Sequence, residues 1–283
     1  MLRVLICFAF GLCVSIQSPA AEAQERTGAK RIVSLAPHLT ELAFTAGAGS
    51  HIVATVEYSD YPNEARTITR IGDAFSIDFE RLLALSPDLV LAWETGTPRQ
   101  TVERIRELGL RVDTIEIRRL AQIAPVLRAL GEHAGTSQIA DAAAARFERE
   151  IQALREEYRD REPVSVFLQI NARPLYTVNG EHIMSEIVSL CGGTNVFADL
   201  NALAPTVGME AVIAKNPRVI LSTDESTDAP AEQWERWTSM RAVREGNIFA
   251  LPPDDLSRPT TRLARGARAV CQALDEARQK KSR

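Results

Sequence analysis

Short apolar runs alternate with amphipathic segments along the first half of the chain. Residues 32–35 predict a strand, and residues 37–47 show a helical pattern that ends at Gly47. Residues 88–93 predict a nearly continuous apolar strand, which is typical of a strand buried on both faces. Further strands are predicted at 52–56 and 112–117, and further helices at 79–85 and 98–108. This alternation favours a mostly parallel sheet covered by helices.

A longer helical pattern divides the chain near its middle. Residues 137–160 contain neither glycine nor proline, and Pro163 follows them. Their large apolar side chains recur at helical spacing, at Phe147, Ile151, Leu154 and Tyr158. About 24 residues at 1.5 Å each make a helix of roughly 36 Å, which is longer than a crossover between neighbouring strands needs. The strand pattern then restarts at residues 164–170.

The second half of the chain repeats features of the first. Glu80 precedes Pro87 and an apolar run, and Glu210 precedes Pro217 and an apolar run at the same spacing, 130 residues later. Two further glutamates lie six residues before a glycine, Glu41 before Gly47 and Glu186 before Gly192. Two copies of one α/β lobe joined by one long helix are the simplest structure with this pattern. A chance match of short apolar runs is the alternative.

Composition and charge narrow the function classes. The 283 residues are 45% hydrophobic and 25% charged, which is typical of a globular protein. The net charge is −4, and no long basic run is present. These values argue against a nucleic-acid partner on electrostatic grounds.

The first 23 residues have the pattern of a secretory signal peptide. A short basic start at Arg3 precedes an apolar segment, and Ala21-Glu22-Ala23 forms a small-x-small cleavage pattern. The apolar segment is well short of the ~20 residues that span a membrane. Lipidation of Cys13 is the alternative, but the preceding Leu12 is not the small residue that a lipid-attachment site favours. We therefore predict cleavage and export.

Removal of residues 1–23 leaves two cysteines, Cys191 and Cys271. In an exported chain two cysteines predict one disulfide, because the compartment is oxidising. A pair of buried free thiols is the alternative. If the bridge forms, it ties the start of the second lobe to the C-terminal helix.

Catalytic motifs are absent from the sequence. There is no G-x-S-x-G, no P-loop, no G-x-G-x-x-G and no H-E-x-x-H. The histidines do not pair at metal-ligand spacing, so a three-histidine site would need distant loops: His38, His51, His133 and His182. Two α/β lobes nevertheless form a cleft where the carboxyl ends of their strands face each other, and ligands bind at such ends.

Several segments of the chain carry a recognisable pattern. They are residues 31–37 (Arg-Ile-Val-Ser-Leu-Ala-Pro) with 40–44, 58–62 (Tyr-Ser-Asp-Tyr-Pro), 87–93 (ending in Ala-Trp), 167–169 (Phe-Leu-Gln) and 191–193 (Cys-Gly-Gly). These segments resemble the periplasmic binding proteins for cobalamin, haem and iron-siderophores. The resemblance runs from residue 31 to about residue 275, and it is strongest to the cobalamin-binding members of the family.

The resemblance implies a fold of class α/β, with two Rossmann-like lobes of mostly parallel sheet joined by one long helix. The corresponding limits are 30–136 for the first lobe, 137–161 for the linking helix and 164–280 for the second lobe. A rather rigid cleft, a monomer, a periplasmic location and delivery of ligand to the permease of an ABC importer are implied as well. Two glutamates on the lobe surfaces of the family dock onto permease arginines, and Glu80 and Glu210 match them; stabilisation of a helix start is the alternative role.

The resemblance also implies a ligand site. Tyr58, Trp93 and Tyr176 match aromatic positions that pack against the flat corrin ring, although core packing is an alternative for Trp93. Pro37 lies in the matching first segment, and Asp254 and Arg258 are polar candidates for ligand amides. Three departures replace aromatic residues of the family: Ala74 beside Phe75, Ala204, and Asp255 after Asp254. They predict a wider or more polar cleft.

The predicted function is capture of a corrinoid without chemistry, and no cofactor or metal is expected. Haem is one alternative, with Tyr58, Tyr176 or His182 as its axial ligand. A ferric siderophore is another and would use cleft arginines, of which Arg173 and Arg258 are candidates. A secreted metal-dependent enzyme on a duplicated α/β scaffold is the alternative from a different class.

Overall fold

The structure is a computed structural model that describes residues 28–224 and 230–280. The predicted signal peptide at residues 1–23, with Cys13, lies outside these ranges. Within them, no helix combines the length and the apolar character that crossing a bilayer requires.

The first lobe is built on a four-stranded sheet in which every pair of neighbours is parallel. Its strands are β1 (Ile32–Ser34), β2 (Ile52–Ala54), β3 (Leu89–Trp93) and β4 (Val112–Ile115), in the order β2-β1-β3-β4. Its helices are α1 (Pro37–Thr45), α2 (Phe79–Ala84), α3 (Arg99–Glu107) and α4 (Ile123–Ala134). In β3, Leu89 and Leu91 belong to one buried cluster, and Val90 and Ala92 to a second. The predicted burial of this strand on both faces is therefore confirmed.

Helix α4 has no counterpart among the predicted elements, because Pro125 and Gly131 interrupt its helical pattern. Pro125 lies in the first turn, where a backbone N–H has no acceptor within the helix, so the helix tolerates it. Gly131 allows close packing against the next helix, since a Cβ at this position would collide with the Ala140 side chain.

Helix α5 (Ser137–Glu157) joins the two lobes and packs along α4. It ends three residues before the predicted limit at residue 160. Its buried side chains, which include Phe147 and Ile151, belong to a cluster that also contains Leu39 of the first lobe and Val166 of the second. The apolar core is therefore continuous from one lobe through α5 to the other.

The second lobe is built on another four-stranded sheet with parallel neighbours. Its strands are β5 (Val164–Gln169), β8 (Gly193–Asn195), β9 (Val219–Ser222) and β10 (Ile248–Ala250), in the order β10-β9-β5-β8. The short strands β6 (Asn171–Ala172) and β7 (Leu175–Tyr176) form an antiparallel hairpin after β5. Its helices are α6 (Ile183–Leu190), α7 (Met209–Lys215), α8 (Arg241–Arg244) and α9 (Leu263–Gln279).

The two sheets have matching strand orders. Strand β5 takes the place of β1, β8 that of β2, β9 that of β3, and β10 that of β4. Glu80 is the second residue of α2, which precedes β3, and Glu210 is the second residue of α7, which precedes β9. The sequence repeat thus corresponds to equivalent positions in two similar lobes, and the predicted α/β class is confirmed.

A disulfide joins Cys191, which directly follows α6, to Cys271 within α9. The two Cα atoms lie 4.8 Å apart, and the cysteines are 80 residues apart in the sequence. The predicted bridge is confirmed, and the alternative of two free thiols is wrong. The disulfide links the end of α6 to α9 within the second lobe.

Candidate functional site

A cavity of about 290 Å³ lies between the two lobes. Its walls come from segments that follow the carboxyl ends of strands, namely the residues after β1, β3, β4, β8 and β10 and those that lead into α6. The apolar part of the wall comprises Pro37, Trp93, Ile117, Ile183, Leu203 and Pro259. Both lobes contribute, as strand ends that face each other across a cleft should.

Trp93 is the large aromatic side chain of the cavity. It is the last residue of β3, its side chain is 37% exposed, and its ring contacts the His38 ring edge-on at a centroid distance of 5.1 Å. Its backbone N–H donates to Thr97 Oγ1 at 3.0 Å. Gly96 makes room for the indole, because a Cβ at that position would overlap it. The surrounding turn therefore holds the ring with one side open to the cavity.

Each lobe presents one histidine to the cavity from the start of an equivalent helix. His38 is the second residue of α1 and only 5% exposed, and its Nε2 has no hydrogen-bond partner among the described residues. His182 precedes the first residue of α6. Burial lowers the pKa of both imidazoles to about 4, and the charge of Arg258 contributes for His38. Both rings are therefore neutral at pH 7.

The cavity's arginines have acidic partners. Arg258 donates to Asp60 at 2.7 Å, and its Nε lies 3.3 Å from Asp254. Arg118 donates to Glu116 at 3.2 Å. Burial alone would raise the pKa of Asp60, but the hydrogen bond and the charge of Arg258 outweigh it and lower that pKa. These pairs compensate the positive charges of both arginines.

The predicted ligand residues separate into two groups. Pro37, Trp93 and Arg258 line the cavity, and Asp254 adjoins it through Arg258. Tyr58 is 78% exposed, with a φ of 64°, in the segment after β2, and Tyr176 is partly exposed at the end of β7. Neither tyrosine lines the cavity. Their assignment to the ligand site stays a prediction.

The remaining predicted candidates lie apart from the cavity, with one exception. Arg173 is exposed in the turn of the β6–β7 hairpin, and Phe75 is exposed in the segment before α2. His182, considered as an axial ligand of haem, is the exception because it lines the cavity, as does Arg258, which was considered for a siderophore as well. Glu80 and Glu210 are both exposed, and no side-chain partner of either occurs within the described residues. Their docking role stays a prediction.

Contacts between the lobes brace the cleft. The Glu41 carboxylate, on α1 and 1% exposed, accepts from Arg262 Nε at 2.8 Å, from Arg262 Nη2 at 2.7 Å and from Thr260 Oγ1 at 2.6 Å. Glu186, on α6, accepts from the backbone N–H of Leu120 at 2.9 Å. Each glutamate of this repeated pair thus reaches the segment that leads into a helix of the opposite lobe, α9 for Glu41 and α4 for Glu186.

Sequence reasoning missed several of these residues. His38, Glu116 and Arg118 directly follow Pro37 or the end of β4, so the rule that ligands bind at strand ends could have indicated them. The Glu41–Arg262 pair joins residues 221 positions apart, and no local pattern points to it.

Metal-ligating side chains are dispersed in the described structure. In residues 28–224 and 230–280 no three histidine, cysteine, aspartate or glutamate side chains converge as a metal site. The three-histidine arrangement considered from the sequence is therefore not formed within these ranges.

Comparison with known proteins identifies one family. The family described as "Periplasmic binding protein" matches residues 32–255. The chain is 38% identical over 247 residues to the vitamin B12-binding protein of Vibrio cholerae, covering 87% of this chain and 89% of that protein.

Solved structures give the same result. The periplasmic vitamin B12 binding protein BtuF of Vibrio cholerae superposes with a TM-score of 0.83 at 37% identity, over 89% of this chain and 98% of that one. The periplasmic heme-binding protein RhuT from Roseiflexus sp. RS-1 superposes with a TM-score of 0.78 at 25% identity, over 89% of this chain and all of that one. Proteins named for different ligands, vitamin B12 and heme, thus share this architecture.

Proposed function

The chain belongs to the periplasmic binding protein family, and from that membership we propose that it captures a corrinoid, cobalamin or a close relative, between its lobes. The predicted signal peptide exports it to the periplasm. There it carries its ligand to the permease of an ABC importer. It binds the ligand without making or breaking bonds and needs no resident cofactor.

One observation carries the choice of ligand: the cavity combines an apolar wall with arginines that are already paired. Trp93 and the apolar residues around it suit the flat face of a macrocycle. Arg258 and Arg118 are occupied by Asp60, Asp254 and Glu116. A corrinoid carries neutral amides at its rim, so it does not require a free cation. The name of the 38% identical relative supports the same ligand.

Haem and ferric siderophores are the second candidates. Haem carries propionates, which would compete with the acids that hold Arg258 and Arg118. It also requires an axial ligand, and His182 alone among the three predicted candidates lines the cavity. A catecholate siderophore is more strongly anionic still, and Arg173 lies away from the cavity. The observation that favours haem is the shared architecture with RhuT.

Glu80 and Glu210 are the proposed contacts with the permease. They occupy the same place in α2 and α7, on lobes with matching strand order, which suits a transporter with two-fold symmetry. An exposed carboxylate contributes only about 0–1 kcal/mol to folding. If such a carboxylate faces an arginine in a desolvated interface, removing it weakens the complex by roughly 2–5 kcal/mol, because the arginine is left unpaired.

Uptake of radiolabelled cyanocobalamin by cells that lack the gene tests this function. Reintroduction of the wild-type chain should restore uptake. The double variant Glu80→Ala with Glu210→Ala should bind the ligand normally in purified form and fail to restore uptake at equal protein levels. Normal uptake by the double variant would refute the docking role, and uptake that does not depend on the gene would refute the function.

A further inference from the structure

His182 lines the cavity, its Nδ1 is engaged by the helix, and no acceptor within the described residues bonds its Nε2. We propose that His182 determines specificity within the corrinoid-binding function proposed above: its Nε2–H donates to the carbonyl oxygen of a neutral amide on the ligand. A ligand with a carboxylate at this position is discriminated against.

The helix start fixes which ring nitrogen carries the proton. The backbone N–H of Met184 donates to His182 Nδ1 at 3.2 Å. A nitrogen that accepts a hydrogen bond has no proton of its own, so the neutral ring carries its proton on Nε2. The same contact caps α6 and holds the ring in one orientation.

Because Nδ1 is engaged by the helix, Nε2 is the ring nitrogen left for a ligand. His182 lines the cavity together with Ile183 and Leu203, and within the described residues no hydrogen bond engages its Nε2. The two histidines of the cavity differ in this respect. Within the described residues, His38 Nε2 is buried without a hydrogen-bond partner, whereas His182 Nε2 is not buried in this way. A ligand that fills the cavity removes water from the donor, and it must then supply an acceptor to avoid the cost of an unmade hydrogen bond.

The surrounding charges select a neutral acceptor. Glu181 is adjacent in sequence and lines the same wall, and Glu116 lies across the cavity. Among the described lining residues, both arginines are paired with acids. A ligand carboxylate would meet these acids without a free cation, so repulsion opposes it. An amide carbonyl accepts the same hydrogen bond without that penalty.

The inference is tested with two probes that share one macrocycle. Dicyanocobinamide carries neutral amides, and dicyanocobyrinic acid carries free carboxylates in their place. The wild-type protein should bind the amide form at least about 10-fold more tightly, which corresponds to about 1.4 kcal/mol. Equal binding of the two forms would overturn the selection of a neutral acceptor.

A matched pair of variants separates the donor from the helix cap. Asparagine and aspartate both cap a helix well. His182→Asn keeps an N–H donor, and His182→Asp removes it. Both should fold with similar melting temperatures, but His182→Asp should bind dicyanocobinamide about 10-fold more weakly than His182→Asn. Equal affinity of the two variants would reduce His182 to a structural cap and overturn the proposal.

The tautomer is measured independently of any ligand. Long-range proton–nitrogen NMR correlation of the free wild-type protein should place the His182 proton on Nε2. A proton on Nδ1 would contradict the proposal. If neither probe binds, the corrinoid function is refuted instead. The NMR result would still show whether His182 carries its proton on Nε2.

Discussion

Replacement of Trp93 tests the proposed ligand binding at the scale of a single residue. It ends β3, is held by Thr97 and Gly96, and keeps a face of its indole open to the cavity. If the ring stacks on a flat ligand, Trp93→Ala should weaken cyanocobalamin binding by roughly 1–3 kcal/mol in calorimetry. The free energy of unfolding should fall by less than the binding free energy, because the Trp93 side chain is partly exposed.

Phe75→Ala is the control for Trp93→Ala. Phe75 is a large aromatic residue that is more exposed and lies outside the cavity. Its removal should leave affinity unchanged. If Trp93→Ala lowers only the melting temperature and leaves the affinity unchanged, Trp93 serves packing and the binding surface lies elsewhere.

His38 makes stability depend on pH. Burial lowers its pKa from 6.5 to about 4, so the unfolded chain binds more protons than the native one between these values. Its contribution is complete above about pH 6.5 and is lost as pH falls toward 4, on the order of 3 kcal/mol at most. Urea unfolding of wild type and His38→Gln should show the wild type losing more stability over this range. Parallel pH curves for the two proteins would contradict the buried neutral state.

Single residues differed in how well the sequence predicted them. Trp93 was recognisable because it matches an aromatic position of the family and follows a predicted strand, and Arg258 because of the same resemblance. Lone histidines such as His38 carry no motif. The partners of Arg258 include Asp60, 198 positions away, so the charge balance of the cavity becomes visible only in the folded structure.

At the scale of elements, strands and helices with uninterrupted patterns were predicted within a few residues. Strand β3 is an example, because burial on both faces makes it a continuous apolar run. Helix α3 is another, because burial of one face gives its sequence a helical period, and α1 was predicted equally well. Helix α4 was missed because Pro125 and Gly131 break its pattern. Pro125 is tolerated because it lies in the first turn, and Gly131 packs closely against Ala140, a contact that the sequence does not show. The lobe limits 30–136 and 164–280 and the monomeric state stay predictions.

The disulfide between the end of α6 and α9 gives a prediction at this scale. Thiol titration of the denatured, unreduced protein should find no free thiol from Cys191 or Cys271. Replacing both by alanine opens a loop of 80 residues and should lower the free energy of unfolding by up to about 4 kcal/mol in urea titrations. Two titratable thiols in the untreated protein would contradict the bridge.

At the scale of the whole molecule, the sequence repeat predicted two lobes of matching topology. The repeat could not predict that Glu41 and Glu186 each accept hydrogen bonds from the opposite lobe, because each partner lies in the other half of the chain. The Glu41–Arg262 pair is buried, so removing the Glu41 charge leaves Arg262 with only the more distant carboxylates of Asp254 at 3.5 Å and Asp255 at 3.7 Å. These contacts between the lobes and the continuous core around α5 hold the two lobes on either side of the cleft.

Glu41→Gln tests this bracing directly. It should lower the free energy of unfolding by about 3–5 kcal/mol and broaden the distance between the lobes in the ligand-free protein. Spin labels on cysteines introduced at Glu80 and Glu210 report that distance, since both positions are exposed and the native cysteines are bridged. Glu186→Gln is the matched control and should have a smaller effect, because Glu186 is less buried than Glu41. An unchanged distance distribution in Glu41→Gln would show that the pair does not set the cleft.

The central claim is that the cavity takes a neutral-rimmed corrinoid in preference to an anionic tetrapyrrole or siderophore. The most direct measurement incubates the purified protein with cyanocobalamin, haemin and a ferric catecholate siderophore together, removes unbound ligand on a desalting column, and records the absorption spectrum. The protein fraction should carry the corrinoid spectrum alone, at one ligand per chain. A fraction that carries the haem or siderophore spectrum instead would contradict this claim.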